Sequence, residues 1–414
     1  MSSFSSALSA LNAFSTGIDV VGNNLANLDT TGFKASTVSF HDLVTESLST
    51  GLSDTQVGFG VGTPVTMRQF TQGAIQTTGA PLDAAIQGDG FFVVQDPSSG
   101  ATQYTRAGNF EVNQAGNLVT TTGALVQGWT AQNGAVNTNG PISDINVPTG
   151  TLKAPVATQN ISLDLNLDSQ QTVSGTPNTY STSIQVYDSL GVSHVLTVQF
   201  TQGTTTGQWN YSISVPNSDV TSPMTPVTGT LTFDQNGNLT TPAATDPPPQ
   251  IQIQGLSDGA ANMTINWQLY NNGTPRVTQY AQTSAVSALY QDGSAAAQLS
   301  NVGVSQNGQI VAQYSDGQQN VIGQLALATV RNPESLVAVG NNNFELSANS
   351  AIPAIGVPGT GGRGSVQGGA LEASTADIAT EFTHLIVLQS GYEANSKVIT
   401  TVNQDVQTTI NLIQ

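Results

Sequence analysis

Residues 371–414 read LEASTADIATEFTHLIVLQSGYEANSKVITTVNQDVQTTINLIQ, and apolar residues recur in this stretch at every seventh position. The stretch contains no Pro and a single Gly, Gly391. A heptad repeat sustained this far is typical of a helix that packs along other helices, so the sequence predicts one continuous helix, roughly 65 Å long. One small domain cannot cover a stripe of that length, which predicts packing both within the chain and between copies of it. The heptad positions are Leu371, Ile378, Leu385, Tyr392, Ile399, Val406 and Ile413.

The N-terminal end of the chain carries a matching pattern, with apolar residues spaced alternately by three and four positions. Gly17 and Gly22 lie inside the pattern, and each weakens an isolated helix by about 1 kcal/mol relative to Ala. The predicted helix therefore needs a partner, and we expect it to pair antiparallel with the C-terminal helix. The residues of this second seam are Phe4, Ala7, Leu11, Phe14, Ile18, Val21, Leu25 and Leu28.

The middle of the chain has the pattern of strands. Apolar and polar residues alternate over Ile161–Leu167, Trp209–Val215 and Met263–Leu269, with Gly and Pro between the runs. Such alternation predicts an antiparallel sandwich or barrel. A short pattern with Gly between two apolar runs occurs three times, and each copy predicts a hairpin turn. The copies are Val112–Leu118, Phe233–Leu239 and Val304–Ile310.

The predicted fold class is mainly β with α-helical termini. The two terminal helices form a coiled-coil domain, followed outward by two β-rich domains that are inserted in the chain. Stretches rich in Pro, Asn or Gly at Asn139–Pro155, Pro242–Pro249 and Pro353–Gly369 guide the boundaries. The predicted division is a terminal coiled-coil domain (1–30 with 370–414), a connecting extended or hinge region (31–70 with 355–369), a β-rich middle domain (71–147 with 280–354) and a sandwich or barrel outer domain (148–279).

Composition excludes several classes of function. The chain contains eight Lys and Arg residues and 26 Asp and Glu residues, which gives a net charge of −18. So few bases argue against nucleic-acid binding and against a polybasic membrane patch. Cys is absent and there are three His, so we expect no disulfide, no metal site and no cofactor. No apolar run is long enough to span a bilayer, and the N-terminus does not resemble a cleaved signal peptide.

Two kinds of motif suggest catalysis only at first sight. Gly255–Gly259 matches the string G-x-S-x-G, but an alternating run follows where the nucleophile elbow requires a helix, so we interpret it as a surface turn. Gly58–Gly62 and Gly359–Gly364 are rich in Gly but lack the sequence of a phosphate loop, and we interpret both as loops.

One polar stretch and one residue pair complete the candidates. Asp188–His194 brings an acid, a hydroxyl and an imidazole close in sequence, and we interpret Asp188 and Gly191 as turn residues that do not converge on one atom. Asp89 and Arg106 are candidates for a structural ion pair. No catalytic residue is predicted, and the chain is expected not to be an enzyme.

Three blocks of sequence resemble the rod, hook and hook-associated axial proteins of the bacterial flagellum. They are Gly22–Lys34, then Pro81–Val93 with Tyr104–Phe110, and finally Gly369–Ser374 continuing to Lys397. The blocks span both chain ends and are highly specific. The residues that carry the resemblance are Asn24, Asn27, Thr31, Gly32, Phe33, Lys34, Gly88, Gly90, Phe91, Phe92, Arg106, Gly108, Asn109, Phe110, Glu372, Gly391, Tyr392 and Asn395.

Within this family, chain length and the stretch Val186–Leu196 favour a hook-forming member over a distal rod or hook-associated junction protein. Ser390 stands where the family commonly has Arg, and Thr375-Ala376 where Asn-Val is usual. These departures concern the details of subunit contacts. A secreted surface β protein or adhesin is the remote alternative, and it would not need heptads at both ends.

The resemblance implies a structural subunit that assembles with many copies of itself into a curved hollow tube. The terminal helices would form the inner tube, and the tube would act as a flexible joint between motor and filament. Implied partners are the distal rod protein, the hook cap, the hook–filament junction proteins and the flagellar type III export apparatus. The implied location is the extracellular hook, reached without a cleaved signal peptide.

Overall fold

The computed structural model describes residues 2–43, 45–47, 56–58, 60–132, 134–170 and 177–413. For residues 2, 3, 45–47, 56, 57 and 413 it describes the backbone alone, so the side chain of the predicted seam residue Ile413 lies outside the described part. Two compact units form, each built from discontinuous stretches of chain. Unit 1 comprises Met1–Thr149, Asn301–Gln313 and Gln319–Gln414, and unit 2 comprises Gly150–Ser300 and Tyr314–Gln318.

The first part of unit 1 holds one helix and thirteen short strands among the described residues. They are α1 (Ser2–Ala26), β1 (Ser36–Ser39), β2 (Thr45–Ser47), β3 (Gln56–Gly58), β4 (Val65–Arg68), β5 (Ile75–Thr77), β6 (Ala84–Gln87), β7 (Phe91–Gln95), β8 (Thr102–Thr105), β9 (Phe110–Val112), β10 (Leu118–Thr120), β11 (Leu125–Gln132), β12 (Ala135–Val136) and β13 (Ser143–Asp144).

Unit 2 is built from strands. They are β14 (Asn160–Asp168), β15 (Thr179–Tyr187), β16 (Ser193–Gln202), β17 (Gln208–Ser214), β18 (Val227–Phe233), β19 (Leu239–Thr241), β20 (Gln250–Ile253), β21 (Met263–Trp267), β22 (Tyr270–Asn271), β23 (Thr274–Pro275), β24 (Val277–Tyr280) and β25 (Ala285–Gln291).

The chain then completes unit 1 and ends in a long helix. These elements are β26 (Leu299–Val304), β27 (Gln309–Tyr314), β28 (Gln319–Leu325), β29 (Leu327–Thr329), a 3₁₀ turn (Pro333–Ser335), β30 (Val337–Gly340), β31 (Asn343–Glu345), β32 (Ala354–Gly356), β33 (Ser365–Gly368), β34 (Ala370–Glu372) and α2 (Ile378–Ile413).

The predicted helices form, but both are shorter than the heptad pattern. The C-terminal helix begins at Ile378 because Asp377 caps it, with Oδ1 accepting the N–H of Thr380 at 2.8 Å. Leu371, predicted as the first heptad residue, instead lies in β34 and pairs with Gln76 of β5. Leu28 lies beyond the end of α1. In these two places the seven-residue spacing continues through chain that is not helical.

Unit 1 is organised around a sheet of fourteen strands. Its main order is β26-β27-β28-β11-β7-β8-β31-β30, and β9, β10, β12, β13, β29 and β32 pair beside this path. Strand β7 lies centrally, and its residues Phe91–Val94 are buried on both faces. One face packs into a cluster with Ile86, Leu118 and Leu325, and the other packs with Trp129 and Phe344. Burial on both faces explains why this strand is a continuous apolar run.

Unit 2 is a sandwich of two five-stranded sheets. One sheet has the order β15-β16-β17-β18-β19, and in the other β14 pairs with β21, β24 and β25. Residues of both sheets share one core, which includes Phe200, Trp209 and Trp267. The alternating runs predicted as strands are strands, and their apolar residues face this core. Pairing is not wholly antiparallel, because β14 runs parallel to β21 and β24.

Each of the three repeated turn patterns joins two strands, as predicted. They lie between β9 and β10, between β18 and β19, and between β26 and β27. Their glycines Gly116, Gly237 and Gly308 have φ of 83°, 80° and 72°. This left-handed backbone conformation is costly for residues with a Cβ, so the glycine decides where each turn forms.

The structure differs from the predicted division at one place. Residues 280–300, assigned to the middle domain, belong to unit 2 because β25 pairs along β14. The stretch 355–369, predicted as an extended or hinge region, contributes to the extended strands β32 and β33, and Val366 is buried. The separation of a coiled-coil domain from the middle β domain stays a prediction.

None of the helices among the described residues is long and apolar enough to cross a membrane.

Candidate assembly site

The three sequence blocks meet at the carboxylate of Glu372. Its Oε1 lies 2.6 Å from Nζ of Lys34, and its Oε2 lies 3.1 Å from Nη1 of Arg106. The N–H of Gly73 also donates to Oε1 at 2.8 Å. All three charged side chains are buried. One residue from each block therefore forms a single ion cluster that joins the N-terminal segment, the β body and the strand before α2.

The cluster satisfies most of its hydrogen-bonding groups. The ammonium of Lys34 donates to Thr71 O at 2.6 Å, and Nη2 of Arg106 donates to Gly88 O at 2.9 Å. Burial lowers the pKa of Lys34, and the contacts with Glu372 oppose this effect. Two cations share one carboxylate, so Glu372 is the group on which the arrangement depends. The guanidinium of Arg106 also lies over the ring of Phe91, 5.4 Å from its centre.

Two motif glycines permit the close approach of these segments. Gly32 has φ of 68°, and a Cβ there would lie 2.7 Å from the backbone of Arg106. Its N–H donates to the backbone oxygen of Glu372 at 2.8 Å. A Cβ at Gly108 would overlap the backbone oxygen of Ala84. A side chain at either glycine would push apart the segments that the ion cluster joins.

Asn24 connects the end of α1 to two other segments. Its amide forms a pair with the backbone of Ser36, donating to O at 2.8 Å and accepting from N at 3.0 Å. The same Nδ2 donates to Oε1 of Glu381 on α2 at 3.0 Å. Asn24 and Glu381 are buried, and Oε2 of Glu381 is without a partner. Asn24 therefore fixes the exit of the chain from α1 and the position of α2 together.

The remaining motif residues have structural partners or lie at the surface. Asn27 donates to Asn23 O, Thr31 O accepts from Asn342, and Phe33 O accepts from Thr375 N. Phe92 packs edge-on against Phe110, and Asn109 donates to Thr121.

The other motif residues lie in turns of the β body or on α2. Gly88 and Gly90 have positive φ. On α2, Asn395 donates to Gly391 O, and Tyr392 is exposed.

Helices α1 and α2 pack antiparallel, and a glycine on each helix faces a larger side chain on the other. Gly17 faces Leu388 and Gly391 faces Phe14, while Asn24 reaches Glu381. A Cβ at Gly391 would lie 2.6 Å from the ring of Phe14. The buried stripe of α1 consists of Ala7, Ala10, Ala13, Gly17, Val21 and Asn24. Most of the larger apolar residues in the predicted seam are therefore not fully buried within the chain.

Those larger residues stay partly or fully open to solvent. The half-buried members of the predicted seam are Leu11, Phe14, Ile18, Leu25, Leu385 and Ile399, and the exposed ones are Phe4, Ile378, Tyr392 and Val406. Outside the seven-residue spacing, Ile386 and Val387 are each 62% exposed. The helix pair thus presents an apolar surface, which the heptad pattern alone did not fully identify.

The residues considered as possible catalytic groups in the sequence form turns, hydrogen bonds and ion pairs in the structure. Ser257 lies in the turn between β20 and β21, as expected, and its hydroxyl donates to Ser218 O at 3.1 Å. Arg106 pairs with Glu372 rather than with Asp89. The expectation that Asp188 and His194 do not converge was wrong, because Asp188 Oδ2 lies 2.9 Å from His194 Nε2. The β15–β16 hairpin brings them together, and Asp188 is also a turn residue.

Most of the few basic residues are used inside the chain. Lys34, Arg106, Lys153 and Arg276 form ion pairs with acids. Arg68 lies over the ring of Phe344, and Arg363 donates to Val357 O. Little positive charge is therefore left to form ion pairs with another molecule.

Four family models match successive parts of the chain. The model described as Flagella basal body rod protein matches residues 4–34, and the Flagellar hook protein FlgE/F/G D1 domain matches residues 85–165. The Flagellar basal body protein FlaE D2 domain matches residues 166–294. The Flagellar basal body rod FlgEFG protein C-terminal model matches residues 367–412. The ion cluster draws one residue from each of the first, second and fourth of these regions.

Similarity to individual proteins extends over the whole chain. The chain is 34% identical to the Flagellar hook protein FlgE of Treponema pallidum, covering 100% of this chain and 99% of that protein. It is 33% identical to the Flagellar hook protein FlgE of Escherichia coli, covering 99% of each. The crystal structure of Helicobacter pylori flagellar hook protein FlgE2 has a similar fold, with a TM-score of 0.53 at 13% identity over 70% of this chain and 99% of that one.

Proposed function

The chain belongs to the flagellar hook protein family, and we propose that its copies join head-to-tail into a curved, hollow tube that passes motor torque to the filament. It is a structural subunit of the hook, as its full-length relatives indicate. Identical subunits that meet through two different surfaces form an open helical filament when the rotation between them does not close. The proposed role is mechanical and requires no catalysis.

The single observation that supports this proposal best is the apolar surface of the helix pair. In the isolated chain Phe14 and Leu388 pack against glycines of the opposite helix, while other large apolar residues such as Ile386 and Val387 face solvent. Contiguous exposed apolar surface of this kind marks an interaction site. We assign it to packing against the helix pairs of neighbouring copies, which would form the inner tube.

The β surfaces suit contacts that change while the tube bends. Asn, Gln, Ser and Thr predominate over charged residues, which make up 8% of the chain. Neutral hydrogen bonds and water bridges are exchanged at small cost, whereas fixed ion pairs would favour one arrangement. Since the bases are largely used internally, contacts between copies would depend on neutral polar groups.

The remaining expectations concern the surroundings of the subunit. The hook joins the rod to the filament, so we propose the distal rod protein and the hook–filament junction proteins as neighbours at its two ends. The hook cap and the flagellar type III export apparatus are proposed partners during assembly. The hook subunit would lie outside the cell, exported without a cleaved signal peptide.

Electron microscopy of the concentrated full-length protein tests the proposal. We expect the wild type to form curved tubes and the double variant Ile386→Ser, Val387→Ser to stay unassembled while keeping its fold, because both side chains are exposed in the subunit. Ile352→Ser is the matched control, since Ile352 is 92% exposed but lies outside the helix pair. Tubes from the double variant, or straight tubes from the wild type, would contradict the proposal.

A further inference from the structure

We propose that His194 acts as a proton-operated latch in unit 2, joining three separate loops when its imidazole is protonated and loosening them when it is neutral. The latch goes beyond assembly through the helices, since it lies in the other unit. It controls the tip of the β15–β16 hairpin, where two apolar side chains face solvent.

Both ring nitrogens of His194 face carboxylates. Nε2 lies 2.9 Å from Oδ2 of Asp188, and Nδ1 lies 3.1 Å from Oδ2 of Asp219. Oδ2 of Asp258 lies 3.7 Å from Nε2. An ionised carboxylate only accepts hydrogen bonds, and a neutral imidazole has one N–H to donate. The two short hydrogen bonds therefore exist together only when the ring is an imidazolium.

The three carboxylates come from three different segments. Asp188 begins the turn between β15 and β16, Asp219 lies between β17 and β18, and Asp258 lies between β20 and β21. Within the described part of the chain, these three are the charged groups that contact the His194 ring. Without the positive charge of the ring, like charges would repel one another. The imidazolium thus adds an electrostatic link among segments that hydrogen bonds such as Ser257 N–H to Asp219 O also connect.

The titration of the cluster follows from its geometry. Burial opposes protonation of His194, but hydrogen bonds and charges of Asp188 and Asp219 outweigh burial and raise its pKa above the usual value. The pKa of His in an unfolded chain is about 6.5. The stability contributed by protonated His194 is therefore fully present below about pH 6.5 and is lost as pH rises through the raised pKa of the folded state.

Asp188 limits the latch on the acidic side. Burial opposes its ionisation, but contacts with Asp258 and His194 and the N–H groups of Val192 and Leu190 lower its pKa. The stability that the ionised carboxylate of Asp188 contributes is present above about pH 3.9, and it is lost as pH falls through the lowered pKa. The three loops are therefore joined over the pH range that runs from the lowered pKa of Asp188 to the raised pKa of His194.

The hairpin tip depends on the same carboxylate. Oδ1 of Asp188 accepts the N–H groups of Leu190 at 2.8 Å and Val192 at 2.9 Å. Leu190 is 57% exposed and Val192 is 44% exposed. The N–H of Ser257 donates to Asp219 O at 2.9 Å, which connects two of the loops directly. Deprotonation of His194 would loosen the tip and move this apolar pair.

The test is an NMR titration of the histidine ring signals in the full chain, kept below the concentration at which it polymerises. We expect His194 to titrate above about pH 6.5 and Asp219→Asn to lower its midpoint. Asp316→Asn is the matched control, because Asp316 has similar exposure and pairs with Lys153 instead. It should leave the midpoint of His194 unchanged. If Asp219→Asn does not fold, Asp258→Asn takes its place, with a smaller expected change.

Hydrogen exchange supplies the second readout. After correction for the intrinsic rates, amides of Leu190 and Val192 should exchange several-fold faster above the His194 midpoint than below it. Equal corrected rates on both sides of the midpoint would overturn the latch. So would protection that appears only with added Zn²⁺ and disappears with a chelator, because the cluster would then respond to a metal ion instead of a proton.

Discussion

The ammonium of Lys34 lies 2.6 Å from the carboxylate of Glu372, although the two residues are 338 positions apart in sequence. Both side chains are fully buried. The contact closes the chain on itself, since it joins the segment that leaves α1 to the strand that precedes α2. Because Arg106 of the β body also contacts Glu372, the helix pair and the β body of unit 1 are connected through one carboxylate.

The first prediction concerns Glu372→Gln. The variant keeps the size of the side chain but leaves Lys34 and Arg106 buried without their shared anion. Removing one partner of a buried ion pair costs about 3–5 kcal/mol, so we expect a loss of that size in the free energy of unfolding. Urea unfolding of the full-length protein measures it.

Asp164→Asn is the control for Glu372→Gln. Asp164 pairs with Arg276 at 2.7 Å, but both side chains are partly exposed. Exposed pairs contribute about 0–1 kcal/mol, so this variant should change stability far less. An equal loss in the two variants would show that burial of the Glu372 cluster is not what makes it important.

The second prediction concerns Asn24 and Glu381. Asn24→Asp removes the donor to Glu381 Oε1 and places two carboxylates together in a buried position. A buried group that loses its partner costs about 1–3 kcal/mol, and repulsion adds to this loss. Glu381→Gln should restore part of the stability in the double variant, because the Gln amide donates to the new carboxylate.

A double-mutant cycle measures this coupling. Unfolding of the wild type, both single variants and the double variant gives the interaction energy of the pair. Additive effects would mean that Asn24 acts through Ser36 alone, whose backbone it also binds.

The third prediction compares two helical glycines. Gly391→Ala places a Cβ 2.6 Å from the ring of Phe14, so either the ring or the two helices must shift. Gly22→Ala meets nothing within 4 Å, and Ala favours a helix over Gly by about 1 kcal/mol. We expect Gly391→Ala to lower helix-pair stability and tube yield and Gly22→Ala to raise helix stability. Circular dichroism and electron microscopy check both, and the same sign of change in the two variants would contradict the packing described.

The sequence predicted the local elements well because their causes are local. Alternation over Ile161–Leu167 predicted a buried strand, and Gly237 marked a hairpin turn through its positive φ. The antiparallel pairing of the terminal helices was predicted from their matching patterns, but the ion cluster was not, since no spacing in the sequence relates Lys34 to Glu372. Leu371 shows the opposite error, because a strand partner decides its conformation although the heptad spacing fits a helix.

The difference between local causes and contacts formed by folding also explains what the sequence missed in the candidate sites. The turn role of Asp188 follows from adjacent residues, whereas its contact with His194 depends on which face of the hairpin each side chain occupies. The helix interface was predicted to use large apolar residues. Within the chain, glycines make room for two large side chains, because Gly17 faces Leu388 and Gly391 faces Phe14. The use of the remaining seam residues between copies stays a prediction.

The last prediction concerns the start of α2. Asp377 Oδ1 accepts the N–H of Thr380 at 2.8 Å, and this hydrogen bond lowers the pKa of Asp377. The cap is therefore fully present above about pH 3.9 and is lost as pH falls through the lowered pKa. Asp377→Ala removes it at every pH, so at neutral pH the first turn of α2 should fray and its amides should exchange faster. Asp377→Asn keeps a capping oxygen and should retain the protection. Equal exchange in the Ala and Asn variants would mean that contacts with α1, and not the cap, determine where the helix begins.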